Sequence, residues 1–313
     1  MLNFYLFRQD YLKFEGNDRL DLINRLSTNQ VNTLQKFKGI KSVLTNDKGR
    51  FVDLLTLYNF GDFIFTACSF NNSVKVLTHL EKYTIMDDFK PLNISGTHQT
   101  ILFFGDNADE FIKDAFNINM GNFTNNDFEK YVKNDRHSMI ARNDDPFKGY
   151  MFIYSSKDHG FWQNEILNSN LKTDYTMNEI DDVEFNIRRI EYGIPIYPNE
   201  MNDQTNPIEC SLTKYVSFAK GCYIGQEVIA RLDTYDKINK HLVMIESEKD
   251  FTADDSKIIN DGKECGYITS SAYKTGLGFV KTIYLDFKKD YNIKQKGIQI
   301  NCKLKPINQS LLK

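Results

Sequence analysis

A strand, a glycine and an amphipathic helix follow one another twice in this chain, and that repetition restricts the fold more than any other feature. Residues Tyr11 to Glu15 are extended in character, Gly16-Asn17-Asp18 supplies a turn and an N-cap, and Leu20, Leu22, Ile23 and Leu26 mark one helical face. Phe103-Phe104-Gly105-Asp106-Asn107, followed by Phe111, Ile112 and Phe116, has the same order. The two units superpose on Phe14/Phe103, Gly16/Gly105 and Ile23/Ile112. Strands mixed with helices in this way predict an α+β fold built from layered, ferredoxin-like halves.

Between the two units the pattern predicts a hairpin, Ile40 to Thr45 and Phe51 to Tyr58, turning at Asn46-Asp47-Lys48-Gly49. A further strand is expected at Phe63 to Ala67, and a helix capped by Asn72 or Ser73 through Val74, Leu77, Leu80 and Tyr83. Later come a strand at Met151 to Tyr154, a helix from about Gly160 to Leu167, and a longer helix from Asp181 or Asp182 to Tyr192. Gly193 and Pro195 stop that last helix. Residues 194–216, rich in Pro, Asn and Asp, read as loop. After about Asp236 the sequence changes to short β segments with glycine turns: Leu242 to Ile245, Cys265 to Thr269, Gly278 to Val280 and Gly297 to Leu304. The expected division is an α+β region over 1–236 and a small β-barrel domain over 237–313.

The 313 residues carry a formal net charge of −3, so no global basic field draws the protein to nucleic acid or an anionic membrane. Charge is mixed into every turn of the opening residues, so neither a signal nor a transit peptide is expected there. No stretch approaches the roughly 18 apolar residues of a membrane span, so a cytoplasmic protein is expected. Cys68, Cys210, Cys222, Cys265 and Cys302 are odd in number, widely spaced and without a C-x-x-C. That argues against a disulfide framework and against an intrinsic metal or cluster site. There is no phosphate-cradling G-x-x-x-x-G-K-[ST], no G-x-G-x-x-G and no nucleophile-elbow G-x-S-x-G.

The segment with the most chemistry is Ala219-Lys220-Gly221-Cys222-Tyr223-Ile224-Gly225-Gln226-Glu227-Val228-Ile229-Ala230-Arg231. A helix starting at Gln226 places Cys222 just before a helix N-terminus, with Lys220 nearby, and both features favour a thiolate. Glu227 and Arg231 are spaced to pair along the helix surface. The alternative is a thiol packed as a small hydrophobe in a glycine-flanked turn. On spacing alone the two remain open.

Lys220-Gly221-Cys222-Tyr223-Ile224-Gly225-Gln226-Glu227 resembles the K-G-C-Y-x-G-Q-E signature of YgfZ-type folate-binding proteins, relatives of the glycine-cleavage T-protein. Four further stretches follow in that family's order. Phe14-Glu15-Gly16-Asn17-Asp18 through Leu26-Ser27-Thr28-Asn29 resembles its G-x-D…L-x-x-T-N pattern, and Lys48-Gly49-Arg50 with Asp53 its K-G-R hairpin. Arg189-Ile190-Glu191-Tyr192-Gly193-Ile194-Pro195 resembles R-I-E-x-G-I-P, and Gly266-Tyr267-Ile268-Thr269-Ser270 resembles G-x-I-T-S.

The resemblance covers essentially all of the sequence. It implies a T-protein-like three-lobed ring of ferredoxin-like α+β lobes with a C-terminal β-barrel and a folate in the central opening. The α+β lobes are then expected at 1–45 plus 140–236, and at 46–139. Tetrahydrofolate or a one-carbon derivative is the implied ligand, with client iron–sulfur proteins or assembly factors as partners. A pterin needs stacking surfaces and a carboxylate at its amino edge, and its glutamate tail needs Arg or Lys. On the matched motifs Phe185, Tyr192 and Tyr223 offer rings, and Asp53, Glu191 and Glu227 offer acids. Gln226 offers an amide, and Arg189, Lys220 and Arg231 offer cations, with Cys222 as the catalytic thiol.

Two departures bear on the reaction. The central G-Y-T-G-E-D-G of T-proteins corresponds here to Asp145-Pro146-Phe147-Lys148-Gly149-Tyr150-Met151-Phe152, which lacks the glutamate. Their G-G-x-x-D-D hairpin corresponds to Gly49-Arg50-Phe51-Val52-Asp53-Leu54, which has one acid instead of two. Both weaken aminomethyl transfer, which needs a preorganised acid at the folate nitrogens. The leading expectation is a folate-dependent accessory factor in iron–sulfur cluster assembly or repair that has lost transfer activity. The alternatives are an active folate-dependent aminomethyl- or methyltransferase, and an interaction scaffold with a vestigial folate site.

Overall fold

The computed structural model describes residues 1–171, 176–234 and 238–307. It divides into two compact units, Met1–Leu44 with Val52–Asp181, and Thr45–Phe51 with Asp182–Lys313.

The first unit contains β1 (Leu2–Phe7), β2 (Gln9–Glu15), α1 (Arg19–Leu26), β3 (Gly39–Thr45), β4 (Phe51–Asn59), β5 (Ile64–Ser69), α2 (Ser73–Tyr83) and β6 (Lys90–Asn93). It continues with β7 (His98–Phe104), α3 (Ala108–Phe116), β8 (Phe128–Lys133), β9 (Arg136–Asn143), β10 (Gly149–Ser155), α4 (His159–Leu171) and β11 (Met177–Glu179). Two sheets result, ordered β3-β4-β5-β2-β6 and β8-β9-β10-β7-β1-β11. The repeat read from the sequence is real in three dimensions: β2 and β7 hold the same place in their sheets, and α1 and α3 follow them. Phe14, Ile23, Phe103 and Ile112 are all fully buried.

Gly16 (φ +99°) and Gly105 (φ +112°) serve one purpose in both halves. A Cβ on Gly16 would lie 2.0 Å from Asp88 O, and one on Gly105 would lie 2.4 Å from Met1 O. Each glycine thus admits the backbone entering the neighbouring strand, in a conformation that L side chains avoid. Asp18 occupies the N-cap position of α1 and accepts from Leu22 N through its main-chain carbonyl, but its side chain does not cap the helix; the carboxylate accepts from Asp88 N at 2.8 Å instead.

The lobes are partitioned differently from expectation. One sheet uses residues within 9–93, and the other uses 2–7 together with segments from 98 to 179. The cause is β1, which pairs antiparallel with β7 in the place that β6 takes beside β2. The expected breaks at 45/46 and 139/140 therefore fall inside the lobes. Aromatic packing fixes the second sheet: Phe103 and Phe111 rings lie 5.0 Å apart and Phe152 and Trp162 5.2 Å apart. Each such ring, fully buried, stabilises by roughly 1.5–3 kcal/mol.

The second unit holds α5 (Asp182–Glu191), α6 (Gln226–Thr234) and six strands: β12 (Lys240–Ser247), β13 (Lys257–Asn260), β14 (Lys263–Ala272), β15 (Thr275–Lys281), β16 (Asp290–Gln295) and β17 (Ile298–Pro306). The strands close into a barrel, β12-β15-β14-β13-β16-β17, with β12 also pairing β17. Val243, Ile245, Ile258, Cys265, Val280 and Ile293 fill it. Sequence pattern located four of these strands; β13 and β16 are short and carry only two apolar residues each. The expected 236/237 boundary lies outside the described residues, and the barrel shares its unit with α5 and α6.

Candidate functional site

In the second unit the Lys220–Glu227 signature forms a turn leading into α6, and its side chains divide into two sets. One set builds the turn. Tyr223 packs with Ile208, Val216 and Ile229, and burial pushes its phenol up to about 12. Lys220 is 7% exposed, lies with Nζ 5.2 Å from the Tyr223 ring centroid, and is lowered by burial to about 8. Gln226 turns back on the loop: its Oε1 accepts from Tyr223 N at 3.3 Å while its own N–H donates to Tyr223 O at 3.1 Å. Gly225 has φ +79°, and a Cβ there would sit 2.5 Å from Asn46 O and 2.8 Å from Gly49 Cα.

The other set, Gly221, Cys222 and Glu227, is exposed. Cys222 is a free exposed thiol, whereas Cys68, Cys210, Cys265 and Cys302 are buried. Burial raises all four, Cys302 to about 12. The packed-thiol alternative for Cys222 calls for a buried side chain, and this thiol is exposed.

The hairpin tip Thr45–Phe51 belongs to the same unit. Asn46 Oδ1 accepts from Lys48 N and Arg50 N, at 2.9 and 3.0 Å, and Gly49 completes the turn at φ +66°. Thr45 Oγ1 donates to Ile224 O at 2.8 Å. Arg50 Nη1 donates to Glu209 Oε2 at 2.9 Å and to Gln204 O at 3.0 Å, and Phe51 N donates to Thr205 O at 3.0 Å. Glu209 is itself buried and raised by desolvation, with the nearby Lys240 and Arg50 charges opposing the rise. The K-G-R turn and the K-G-C-Y-x-G-Q-E turn, 179 residues apart at Thr45 and Ile224, are therefore one packed assembly.

The R-I-E-x-G-I-P and G-x-I-T-S stretches also meet, at a residue that carries no sequence signal of its own. Glu200 is fully buried; it accepts from Arg189 Nη1 at 3.2 Å, Ile196 N at 3.0 Å, and the hydroxyls of Thr269 and Ser270 at 2.6 Å each. Arg189, 1% exposed, also donates to Asn186 Oδ1, Ile194 O and Ser270 Oγ. Burial pushes its guanidinium down while the Glu200 carboxylate opposes that. Arg189 was expected to meet a folate tail. Its donors instead join α5 to β14, because a guanidinium in this interior must be paired. Glu200 sits in no periodic pattern or motif; a lone acid in a Pro- and Asn-rich loop after an arginine-bearing helix is the whole trace.

Phe185 is buried in α5, so it presents no open stacking face. Tyr192 is 70% exposed, and Glu191, Glu227 and Arg231 are exposed too. The Glu227–Arg231 pairing is not among the ion pairs of the described residues.

Asp53 lies in the first unit and is 1% exposed. Its Oδ1 accepts from Ser69 Oγ at 2.6 Å and Leu54 N at 2.7 Å, and its Oδ2 accepts from Ser69 N at 3.0 Å. Desolvation raises it, opposed by the hydrogen bonds from Ser69 and Asn72. Both oxygens are engaged in tying β4 to β5 and the start of α2. Among the described residues no three His, Cys, Asp or Glu side chains converge as a metal site, and no helix is long and apolar enough to cross a membrane.

The glycine cleavage system aminomethyltransferase T of Bartonella henselae superposes with a TM-score of 0.82, covering 98% of this chain and 86% of that one at 15% identity. The fold is that of aminomethyltransferase T. Sequence similarity points the same way: the aminomethyltransferase of Thermotoga petrophila is 24% identical over 267 residues, covering 84% of this chain and 72% of that protein. That of Aquifex aeolicus is 26% identical over 254 residues, covering 80% and 66%. No family model matches the sequence.

Proposed function

We propose that this protein is a cytoplasmic folate-binding accessory factor, related to the aminomethyltransferases, that acts in assembly or repair of iron–sulfur clusters on client proteins. Cys222 is its reacting group and a tetrahydrofolate derivative its ligand. The observation that carries the reading is the exposed Cys222 thiol, presented on a turn that Lys220, Tyr223, Gly225 and Gln226 build beneath it. The aminomethyltransferase fold supports the folate, and the resemblance of Lys220–Glu227 to the YgfZ signature supports the pathway. The tying-up of Asp53 supports the loss of transfer, since an acid whose oxygens both accept structural hydrogen bonds is poorly placed to serve a reacting nitrogen.

Calorimetry with tetrahydrofolate and its 5-formyl and 5,10-methylene forms is expected to give micromolar binding, on the order of −7 to −8 kcal/mol. No heat and no thermal shift at millimolar folate would sink the reading. A second reading, a folate-dependent aminomethyl- or methyltransferase, is favoured by the similarity to aminomethyltransferases over 84% of the sequence. Turnover comparable to a genuine T-protein in a reconstituted glycine-cleavage assay would establish it in place of the first.

A further inference from the structure

The tip of the β3–β4 hairpin does more than close a turn. Its seven residues, Thr45–Phe51, belong to the second unit. The anchors on the tip run to two segments, the loop at 204–209 and the Ile224–Ile229 stretch that follows Cys222. Arg50 and Phe51 hold the former through Gln204 O, Glu209 and Thr205 O. Thr45 and Gly49 hold the latter, Thr45 through its bond to Ile224 O and Gly49 by direct backbone packing on Gly225.

Ile224 lies two residues from Cys222, and Gly221 on the other side has nothing within 4 Å of the place a Cβ would take. A hold on the Tyr223–Gly225 backbone therefore bears on the loop that presents the thiol, while the buried Lys220 flanks that loop on its other side. Thr45 is completely buried, and removing its hydroxyl takes a donor from the carbonyl of the half-buried Ile224.

We propose that Thr45 is a positioning residue for Cys222: its buried hydroxyl, together with the Gly49–Gly225 contact, fixes the backbone that presents the thiol. The proposal rests on the reading of Cys222 as the reacting group, and its test separates the two.

Thr45→Val keeps the side-chain shape and removes the donor, and Thr45→Ser keeps the donor and removes a methyl group. Hydrogen–deuterium exchange on the full-length protein is expected to show the hydrogen-bonded amides of Tyr223 and Gln226 opening on the order of tenfold faster in Thr45→Val, for loss of one hydrogen bond. Thr45→Ser is expected to restore the parent rate there despite its small cavity. In a strain lacking its own relative of this protein, Thr45→Ser complements and Thr45→Val does not. Parent-like exchange at Tyr223 and Gln226 in Thr45→Val, or equally fast exchange in Thr45→Ser, overturns the proposal. If Cys222→Ser complements fully, the reading of Cys222 falls, while the exchange result still decides whether Thr45 sets the loop.

Discussion

Replacing Arg189 by Met tests whether the R-I-E-x-G-I-P stretch serves the ligand or the fold. Methionine retains the apolar stem and deletes a guanidinium that donates to Asn186, Ile194, Glu200 and Ser270. Glu200 keeps Ile196 N and two hydroxyl donors but loses its only ion-pair partner among the described residues. Removing one member of a buried ion pair costs about 3–5 kcal/mol, so the Tm of the second unit falls on the order of 10 °C or more. Adding Glu200→Gln removes the stranded charge, and part of the loss returns as a coupling of roughly 1–3 kcal/mol. Differential scanning calorimetry of the parent, both single variants and the double variant measures the cycle, with folate titrations on each. The refuting result is specific. If Arg189→Met melts with the parent while folate affinity collapses, the guanidinium reaches the ligand and its place in the buried network is misjudged.

Cys222→Ser changes an exposed side chain, so its stability stays within about 0.5 kcal/mol of the parent; a Tm several degrees lower, with function restored in cool-grown cells, would return the residue to a structural role. Thiol-specific labelling of the native protein modifies Cys222 first, because the other four thiols are buried; mass spectrometry finding equal labelling at Cys210 would contradict this. Lys220 is held near 8 in the folded state, below the ordinary 10.5, so between those values the unfolded state binds more protons. The Lys220 contribution to stability then rises with pH from about 8 toward 10.5 and is lost as pH falls back through 8, against the opposite slope of the four buried thiols, whose raised values cost stability as pH rises. Urea titrations across that range show the stability difference between the parent and Lys220→Met shifting in the parent's favour as pH rises, and a difference that does not change with pH would refute the assignment. Gly105→Ala forces a Cβ to within 2.4 Å of Met1 O at φ +112° and costs roughly 2 kcal/mol or more; a Tm within a degree of the parent's would show that β1 gives way freely.

What the sequence determined by itself was local or repeated. Strand–glycine–helix units, the Asn46–Gly49 turn and the switch to short β segments after Asp236 are legible because dihedral freedom at glycine and apolar periodicity act within a few residues. The exposure of Cys222 and the burial of Asp53, Phe185 and Arg189 were decided by packing between segments far apart along the sequence. Spacing shows which side chains share an element, but not whether a neighbour covers them. Arg189 and Tyr192, three residues apart on and just beyond α5, make the point: spacing puts them on one face, yet one is sealed against Glu200 and Ser270 and the other, past the last residue of the helix, lies open to solvent. Likewise β1 joins β7 rather than β2, its immediate neighbour in sequence, since only folding brings Leu2–Phe7 alongside His98–Phe104. Glu200 and Thr45 could be recognised only there, where a buried polar group must find its partners from distant segments, and those partners are what give each residue its role.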